Sequence, residues 1–371
     1  MLAISATTAH RLGALLVCTL SAALCAALPA RTVATIGLNL SELPGVFGED
    51  VRPNALGAES VTDWPGVAQR VTVQFMRSPK APSVSFAVIR FDPGATWDVV
   101  AGRITRQYGA ALDSVRVGSG RTAQWIVDAA RLTLDNLNGG VQVTVERAFL
   151  ADPSRHGMPE LTRIIHAVKG DISGTGWADR VLLLGQIENG SPYVTDMRLM
   201  VQRGAYGPFR IYRLPVDLGN GLQPRLRLRD VTADGVPEVL YASHTGGSGG
   251  MINAGVYQGA RGANRWIFRS NGTALPKVTG VRNGNQLTVT VGAQPPVTLT
   301  LNSDQVMAAG METRTWGEDG VQIMEPTSNP PGLLVTRSLR LGPNVNQVAV
   351  LRTQLRWSGS GWTHVHTQVT R

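Results

Sequence analysis

The chain has 371 residues, a formal net charge of +9 at pH 7 and two cysteines. A single hydrophobic core rarely grows to this size, so we expect two or three domains. Two cysteines are too few for a disulfide-rich scaffold, and no apolar run after the first thirty residues approaches the length of a membrane-spanning helix.

Residues 1–30 have the layout of a secretory signal peptide. Arg11 precedes an uncharged run, rich in Ala and Leu, from Leu12 to Leu28. An uncleaved anchor is the alternative, because the shortest membrane-spanning helices have about 17 residues. We favour cleavage, which gives an exported protein that is periplasmic, envelope-associated or secreted and has no integral membrane span. Cys18 and Cys25 both lie in the leader, so core packing or bound ions would hold the mature protein together.

The next segment, residues 31–68, is rich in Gly, Pro, Asn and Ser without clear periodicity, and it is predicted to be irregular. Residues 69–157 are predicted to form a small α+β domain. Alternating apolar residues indicate strands on both sides of a helix that is predicted from Trp97 to Leu112. The apolar residues that recur there at helical spacing are Trp97, Val100, Ile104 and Tyr108.

Residues 158–371 are predicted to form an antiparallel β-repeat domain, so the whole chain is classed as mainly β. A helix is expected at the start of this domain, from Met158 to Val168, because apolar residues again recur at helical spacing. Beyond Lys169 the sequence is typical of strands. Two hairpins are predicted, one pairing Leu287–Val291 with Val297–Leu301 and the other pairing Val348–Trp357 with Trp362–Val369.

Two stretches of this β domain are similar to each other. The sequence DISGTGWADRVLLLG, which starts at Asp171, superimposes without a gap on DVTADGVPEVLYASH, which starts at Asp230. Numbered from its first Asp, each stretch has a hydroxyl residue at position three, Gly at position six and an acid at position nine. An apolar strand follows in both.

This spacing suits a hard cation such as calcium, which binds several oxygen atoms on a tight turn. Side chains at positions one, three, five and nine and the carbonyl at position seven would supply the oxygens. The ligands would be Asp230, Thr232, Asp234, the Val236 carbonyl and Glu238 in one stretch, and Asp171, Ser173, Thr175, the Trp177 carbonyl and Asp179 in the other. The stretch with three acids should bind better than the stretch with two, and neither more tightly than roughly 10⁻⁴ to 10⁻³ M. A turn held by Asp side chains without metal is the alternative.

With these residues the two stretches resemble FG-GAP or VCBS-type repeats, the family that includes the integrin α-chain propeller. The resemblance covers roughly residues 169–260 and extends weakly to the C-terminus. A third loop there, at 315–323, keeps only Asp319 and Gly320 of the pattern. The resemblance implies repeated β-sheet modules with binding roles, in a short or incomplete propeller or in a β-sandwich, and weakly bound structural calcium.

Two other functions compete with a binding role. Gly246 to Gly250 fit G-x-S-x-G, which would make Ser248 a hydrolase nucleophile, but a nucleophile elbow leads into a helix and the residues that follow read as a strand. The positive charge comes almost wholly from arginine and could serve an anionic polymer, although scattered arginines argue against nucleic acid. The sequence therefore predicts an exported, non-catalytic binding or scaffold protein whose partner is an unnamed protein or envelope polymer.

Overall fold

The computed structural model describes residues 28–370 except 49, 78–82, 137–139, 189–190, 205–206, 247–251, 272, 274, 306–314, 317–320, 329–331 and 342–345. The chain forms two compact units, which meet in sequence at Ala167 and Val168. Both units are built mainly from antiparallel strands, which confirms the predicted fold class, and the helices lie mainly in the first. In the part of the chain that is described, no helix is long and apolar enough to cross a membrane.

In its described residues, the first unit combines one eight-stranded antiparallel sheet with three α-helices. Its strands are β1 (Arg52–Asn54), β2 (Gly57–Trp64), β3 (Ala68–Arg77), β4 (Val84–Phe91), β5 (Asp113–Val117), β6 (Gly120–Val127), β7 (Ala130–Asp135) and β8 (Gln142–Arg147), and its α-helices are α1 (Leu28–Thr35), α2 (Leu43–Phe47) and α3 (Trp97–Tyr108). Short 3-10 turns lie at Leu40–Glu42 and Pro153–His156. The strand order is β1-β2-β3-β4-β8-β7-β6-β5, so two meanders of four strands join where β4 pairs with β8.

The helix α3 confirms the predicted helix, although it ends at Tyr108 rather than at Leu112. The side chain of Thr96 accepts a hydrogen bond from the backbone N–H of Val99 and so caps the first turn. The chain leaves the helix at Gly109, whose φ of +87° is in the left-handed region that glycine adopts without strain. Val100 and Ile104 are fully buried in the core of the first unit.

The prediction that residues 31–68 are irregular was wrong. Most of this segment folds as α1, α2, β1 and β2, and β2 pairs with β3 in the sheet. The apolar residues of α1 and α2 are too unevenly spaced to be recognised as helical, yet they enter the core, where Phe47 meets Phe75 edge-on at 4.9 Å between ring centroids. Residues 1–27 of the predicted leader lie outside the described residues, and Leu28 begins α1 with its side chain buried.

The described part of the second unit forms three antiparallel sheets. Their strands are β9 (Arg163–Gly170), which begins before the boundary between the units, β10 (Asp179–Ile187), β11 (Tyr193–Gln202), β12 (Phe209–Arg213), β13 (Gly221–Arg229), β14 (Glu238–His244), β15 (Ile252–Gln258), β16 (Arg265–Arg269), β17 (Val278–Asn283), β18 (Gln286–Val291), β19 (Val297–Thr300), β20 (Thr315–Trp316), β21 (Val321–Ser328), β22 (Leu333–Leu341), β23 (Asn346–Trp357) and β24 (Trp362–Thr370). The long sheet has the order β16-β15-β14-β13-β11-β10-β9, with β12 also on β11. The four-stranded sheets have the orders β19-β18-β17-β20 and β21-β22-β23-β24.

The helix predicted from Met158 to Val168 was also wrong, because this region forms the strand β9. Leu161 is 73% exposed and has a φ of +62°, so the chain turns there instead of continuing a helix. The buried residues Ile164 and Ile165 fit either periodicity, since a short apolar run does not distinguish a helix from a strand.

Packing between the two four-stranded sheets gives the C-terminal part of the second unit its core. Val289 and Leu287 of β18 share one buried cluster with Leu351 of β23. Both predicted hairpins are confirmed, because β18 pairs with β19 and β23 pairs with β24. Two sheets that share a core in this way are arranged as in a sandwich, while the long sheet beside them carries the repeated loops.

Candidate metal-binding loops

The two similar stretches occupy equivalent places in the long sheet. The first loop, residues 171–179, connects β9 to the neighbouring strand β10, and the second loop, residues 230–238, connects β13 to β14. In each loop the side chain at position two, Ile172 or Val231, is fully buried. A buried aliphatic side chain therefore anchors each turn to the sheet, and the polar positions are left on the outside.

The backbone repeats as well as the sequence. At position four, φ is +73° for Gly174 and +59° for Ala233, and at position six it is +83° for Gly176 and +84° for Gly235. These left-handed residues turn the chain tightly enough for the amide at position six to reach the Asp at position one. The N–H of Gly176 donates to Asp171 Oδ2 at 2.6 Å, and that of Gly235 donates to Asp230 Oδ2 at 3.0 Å.

A second hydrogen bond is common to both loops and joins position three to position nine. The hydroxyl of Ser173 donates to Asp179 Oδ2 at 2.7 Å, and the hydroxyl of Thr232 donates to Glu238 Oε1 at 2.9 Å. The structure thus brings the side chains at positions one, three and nine together in the first loop. In the second loop it brings the side chains at positions three and nine together. The loops also touch, because a Cβ added to Gly174 would lie 2.9 Å from Val236 Cγ2.

In the first loop the Asp at position one is fully hydrogen-bonded. Its Oδ1 accepts from the N–H groups of Gly174 at 2.8 Å and Thr175 at 3.0 Å, while its Oδ2 accepts from Gly176. Burial by itself would raise the pKa of Asp171, but the hydrogen bonds from Gly176, Thr175, Gly174 and Ser173 hold it below its ordinary value of 3.8. This carboxylate is therefore already satisfied as an anion by the loop itself.

The acid at position nine of the first loop is paired with an arginine. Asp179 is 0% exposed, and its Oδ2 lies 3.5 Å from Nη1 of Arg203, the residue that follows β11. Its Oδ1 accepts a hydrogen bond from the N–H of Gly204 at 2.8 Å. Arg203 also donates from Nη2 to the Gly259 carbonyl and to Asn264 Oδ1, which fixes the guanidinium beside the loop.

The second loop balances its charges less completely. Asp230 Oδ1 is buried without a hydrogen-bond partner in the described structure. Glu238 is 1% exposed and accepts hydrogen bonds from the N–H of Val231 at 2.9 Å and from Thr232. Burial raises the pKa of Glu238 above its ordinary value of 4.5 in spite of these bonds, and the nearby charge of Asp234 raises it further.

The remaining predicted ligands are less involved. Asp234 Oδ1 accepts a hydrogen bond from the Val236 N–H at 2.9 Å, and the hydroxyl of Thr175 lies 3.1 Å from that of Ser173. The side chain of Trp177 is 74% exposed. Within the described ranges, no three His, Cys, Asp or Glu side chains converge as a ready metal site.

Arg203 is the residue of this site that the sequence comparison does not identify. It lies one strand beyond Asp179 in sequence, and a single arginine at the end of a strand carries no pattern. A signal exists only in the register of the sheet, because β10 and β11 are antiparallel neighbours and Arg180 pairs with Gln202. That register places the residue after Gln202 beside the residue before Arg180, which is Asp179.

The structure adds little support for the two alternative functions, a hydrolase that uses Ser248 and a binder of anionic polymer. Ser248 lies outside the described residues, as do Asp319 and Gly320 of the third loop. Strand β14 pairs with β15 as an antiparallel neighbour, so the glycine-rich residues between them connect two strands and do not lead into a helix, as a nucleophile elbow requires. Several arginines of both units pair with acids, namely Arg121 with Asp98, Arg131 with Glu146, Arg198 with Asp196 and Arg269 with Asp217.

Comparison with known proteins gives few constraints. No family model matches the chain. A stretch of 126 residues is 33% identical to the uncharacterized protein YybI of Bacillus subtilis (strain 168), covering 34% of this chain and 47% of YybI, less than half of that relative's length. A mutant of AofleA from Arthrobotrys oligospora aligns over 86% of this chain and 87% of its own at 10% identity, with a TM-score of 0.23. A putative 6-phosphogluconolactonase from Bacteroides fragilis NCTC 9343 aligns over 86% of both chains at 12% identity, with a TM-score of 0.19.

Proposed function

We propose that the protein is an exported, non-catalytic binding or scaffold protein whose second loop holds a structural calcium ion. The residues that would hold the ion are Asp230, Thr232, Asp234, the Val236 carbonyl and Glu238. Calcium would supply a positive charge where carboxylates approach one another. No reaction is assigned to the protein, because its best-organised polar groups serve the turns of a sheet.

The observation that carries the proposal is the oxygen Asp230 Oδ1, which is buried without a hydrogen-bond partner in the described structure. A buried polar atom without a hydrogen bond costs about 1–3 kcal/mol, and more when it is charged. Glu238 adds a second buried carboxyl group, whose pKa is raised by burial and by the charge of Asp234. A divalent cation would relieve both penalties at once, which supports calcium over a metal-free turn in the second loop.

Such an ion would stabilise the long sheet at the hairpin that carries the second loop. The second loop closes the hairpin of β13 and β14 at the pair Arg229 and Glu238, and Val231 packs into a core shared with β22 and β23. An ion that binds only the folded state stabilises it by about 2.7 kcal/mol when present at a hundredfold excess over its dissociation constant. At the weak affinity expected for an extracellular module the gain is smaller.

Thermal melting with and without calcium tests this proposal. We expect millimolar calcium to raise the melting temperature of the purified protein and expect Asp234→Asn to abolish the rise. Asparagine keeps an oxygen that can accept the Val236 N–H, so the variant removes charge with little change in the turn. The matched control is Asp50→Asn, at an exposed acid of the first unit. An unchanged melting curve in calcium, with no metal found by elemental analysis, would refute the calcium site.

Export is tested separately, because it depends on residues 1–30 and not on the loops. We expect the full-length chain to appear outside the cytoplasm and a variant that lacks residues 2–27 to remain inside the cell. The truncation leaves α1 intact, since α1 begins at Leu28. If both forms fractionate with the cytoplasm, the export part of the proposal fails and the calcium part is unaffected.

A further inference from the structure

We infer that Arg203 takes the place of the calcium ion that the resemblance implies for the first loop. The guanidinium of this side chain, and not an ion, would then balance the buried acid and stabilise the loop. The predicted ligands of a cation at this loop are Asp171, Ser173, Thr175, the Trp177 carbonyl and Asp179. Asp179, the buried acid among them, already faces the guanidinium of Arg203 at 3.5 Å. The inference concerns the first loop and does not depend on an ion in the second.

The other oxygen atoms of the first loop are also engaged. Both oxygens of Asp171 accept hydrogen bonds from backbone N–H groups, and Ser173 joins Asp171, Thr175 and Asp179 in one network. A calcium ion would have to displace these N–H groups and would also be repelled by the guanidinium charge. The first loop, which has one acid fewer than the second, therefore has little to gain from a divalent ion.

Arg203 is held in place by groups from a distant part of the chain. Its Nη2 donates to the Gly259 carbonyl at 2.9 Å and to Asn264 Oδ1 at 2.8 Å. Asn264 is itself fixed, because it accepts from the Tyr257 hydroxyl at 3.0 Å and donates to the Gly262 carbonyl. The guanidinium thus connects the first loop to the turn between β15 and β16, as a bound ion connects ligands from separate segments.

Among the residues that the structure describes, the acid at position nine of the second loop faces different groups. Glu238 accepts hydrogen bonds from the N–H of Val231 and the hydroxyl of Thr232, and the charge acting on it is the negative charge of Asp234. The two loops therefore differ at the one point where a cation matters, which is the buried acid at position nine. Because the guanidinium of Arg203 already balances the charge of Asp179, the first loop does not need a bound ion.

The test uses Arg203→Gln and Asp179→Asn, singly and together, in the Asp234→Asn background, which removes the calcium response of the second loop. In calcium-free buffer we expect Arg203→Gln to lower the melting temperature by several degrees, because it leaves Asp179 buried without a counter-charge. Adding Asp179→Asn should recover part of that loss, so the two effects are not additive. The control Arg210→Gln, at an exposed arginine of β12, should have little effect.

Calcium provides the second readout. The Asp234→Asn parent should not respond to millimolar calcium, whereas Arg203→Gln in that background should regain melting temperature, because the ion can then reach Asp179. Arg203→Lys keeps the charge and should stay unresponsive. The inference is overturned if the parent still responds to calcium in a way that Asp179→Asn removes, or if the Arg203 and Asp179 effects simply add. Failure of wild-type protein to respond to calcium would refute the second-loop site and leave the non-additivity test intact.

Discussion

The two loops of the long sheet have the same backbone and different surroundings. In the first loop Asp179 lies 3.5 Å from Arg203. In the second loop the negative charge of Asp234 acts on Glu238, and Asp230 Oδ1 is buried without a hydrogen-bond partner in the described structure. The φ angles at position six differ by a single degree, +83° and +84°. The shape of such a turn is therefore set locally by glycine and by the Asp at position one, while the charge at position nine is set by residues from other strands.

This difference teaches that a repeated sequence pattern identifies a turn more reliably than it identifies a metal. The amide of the glycine at position six donates to the first Asp in both loops, so part of the acidic side chain serves the backbone and is not free for an ion. Ligand counting from sequence treats every acid as available. The structure separates Asp171, whose pKa is lowered by the hydrogen bonds of the turn, from Glu238, whose pKa is raised by burial in spite of such bonds.

The largest effect is expected from truncating the buried side chain that each loop has at position two. It tests whether the two loops are held to the sheet in the same way. Ile172 at position two of the first loop is fully buried, and we expect Ile172→Ala to lower the free energy of unfolding by about 2–5 kcal/mol, because it leaves a cavity. Urea unfolding followed by a probe of the second unit measures this. Val231→Ala should act in the same direction at the equivalent position, with a smaller effect because fewer atoms are removed.

The control for this prediction is Val216→Ala, at a valine that is 97% exposed in the same unit. Its effect should lie within about 0.5 kcal/mol of zero. If Ile172→Ala were as mild as Val216→Ala, the buried anchor would not hold the first loop, and the structural equivalence of the loops would fail at position two.

A smaller effect is expected from the glycines at position six. Gly176 and Gly235 have left-handed φ angles, and no atom lies within 4 Å of a Cβ added at either site, so substitution strains the backbone without causing a clash. Gly176→Ala and Gly235→Ala should each lower the free energy of unfolding by about 1–2 kcal/mol. Gly361→Ala is the matched control, because Gly361 also has open space but lacks a left-handed φ.

Gly176→Ala and Gly235→Ala should lower the free energy of unfolding equally in calcium-free buffer. Equal losses of stability would show that the two turns differ in charge and not in backbone strain. A loss at one glycine only would contradict the repeated geometry. Repeating the measurement in calcium adds a further distinction. We expect the loss at Gly235 to grow, because a bound ion requires the native turn, and the loss at Gly176 to stay the same.

The sequence predicts the local parts of this molecule well. The spacing of acids, hydroxyl residues and glycines identifies both loops, and the spacing of apolar residues identifies α3. These features depend on residues a few positions apart, which is the range over which turn and helix geometry is determined. The same reasoning failed for Met158–Val168, because Ile164 and Ile165 are buried in a strand as they would be in a helix.

The parts that the sequence does not predict are those that depend on contacts between distant segments. Arg203 reaches Asp179 across a strand pair and holds Asn264 from another turn, and no periodicity marks such a contact. Residues 31–68 were predicted to be irregular because their apolar side chains are unevenly spaced, yet Phe47 is ordered by packing on Phe75. Tertiary packing decides the conformation where local preference is weak.

The smallest expected effect is a difference in the response of the two loops to pH. The pKa of Glu238 is raised in the folded protein, so its contribution to stability is complete below the unfolded value near 4.5 and is lost as pH rises through the folded pKa. The pKa of Asp171 is lowered, so its contribution is present above the unfolded value near 3.8 and is lost as pH falls through the folded pKa. Mild acidification should therefore favour the second loop and leave the first unchanged.

Glu238→Gln isolates this effect in calcium-free protein. Glutamine has no charge to bury, its oxygen can accept from the N–H groups of Val231 and Thr232, and its NH2 group can donate to the Thr232 hydroxyl. As the pH falls from neutral toward the unfolded value near 4.5, the wild type should gain stability relative to the variant, while Glu188→Gln, at an exposed acid, should follow the wild type. Urea unfolding at several pH values measures the difference. A wild type and Glu238→Gln variant with parallel pH profiles would mean that Glu238 is adequately balanced without an ion, and the two loops would then be equivalent in charge as well as in shape.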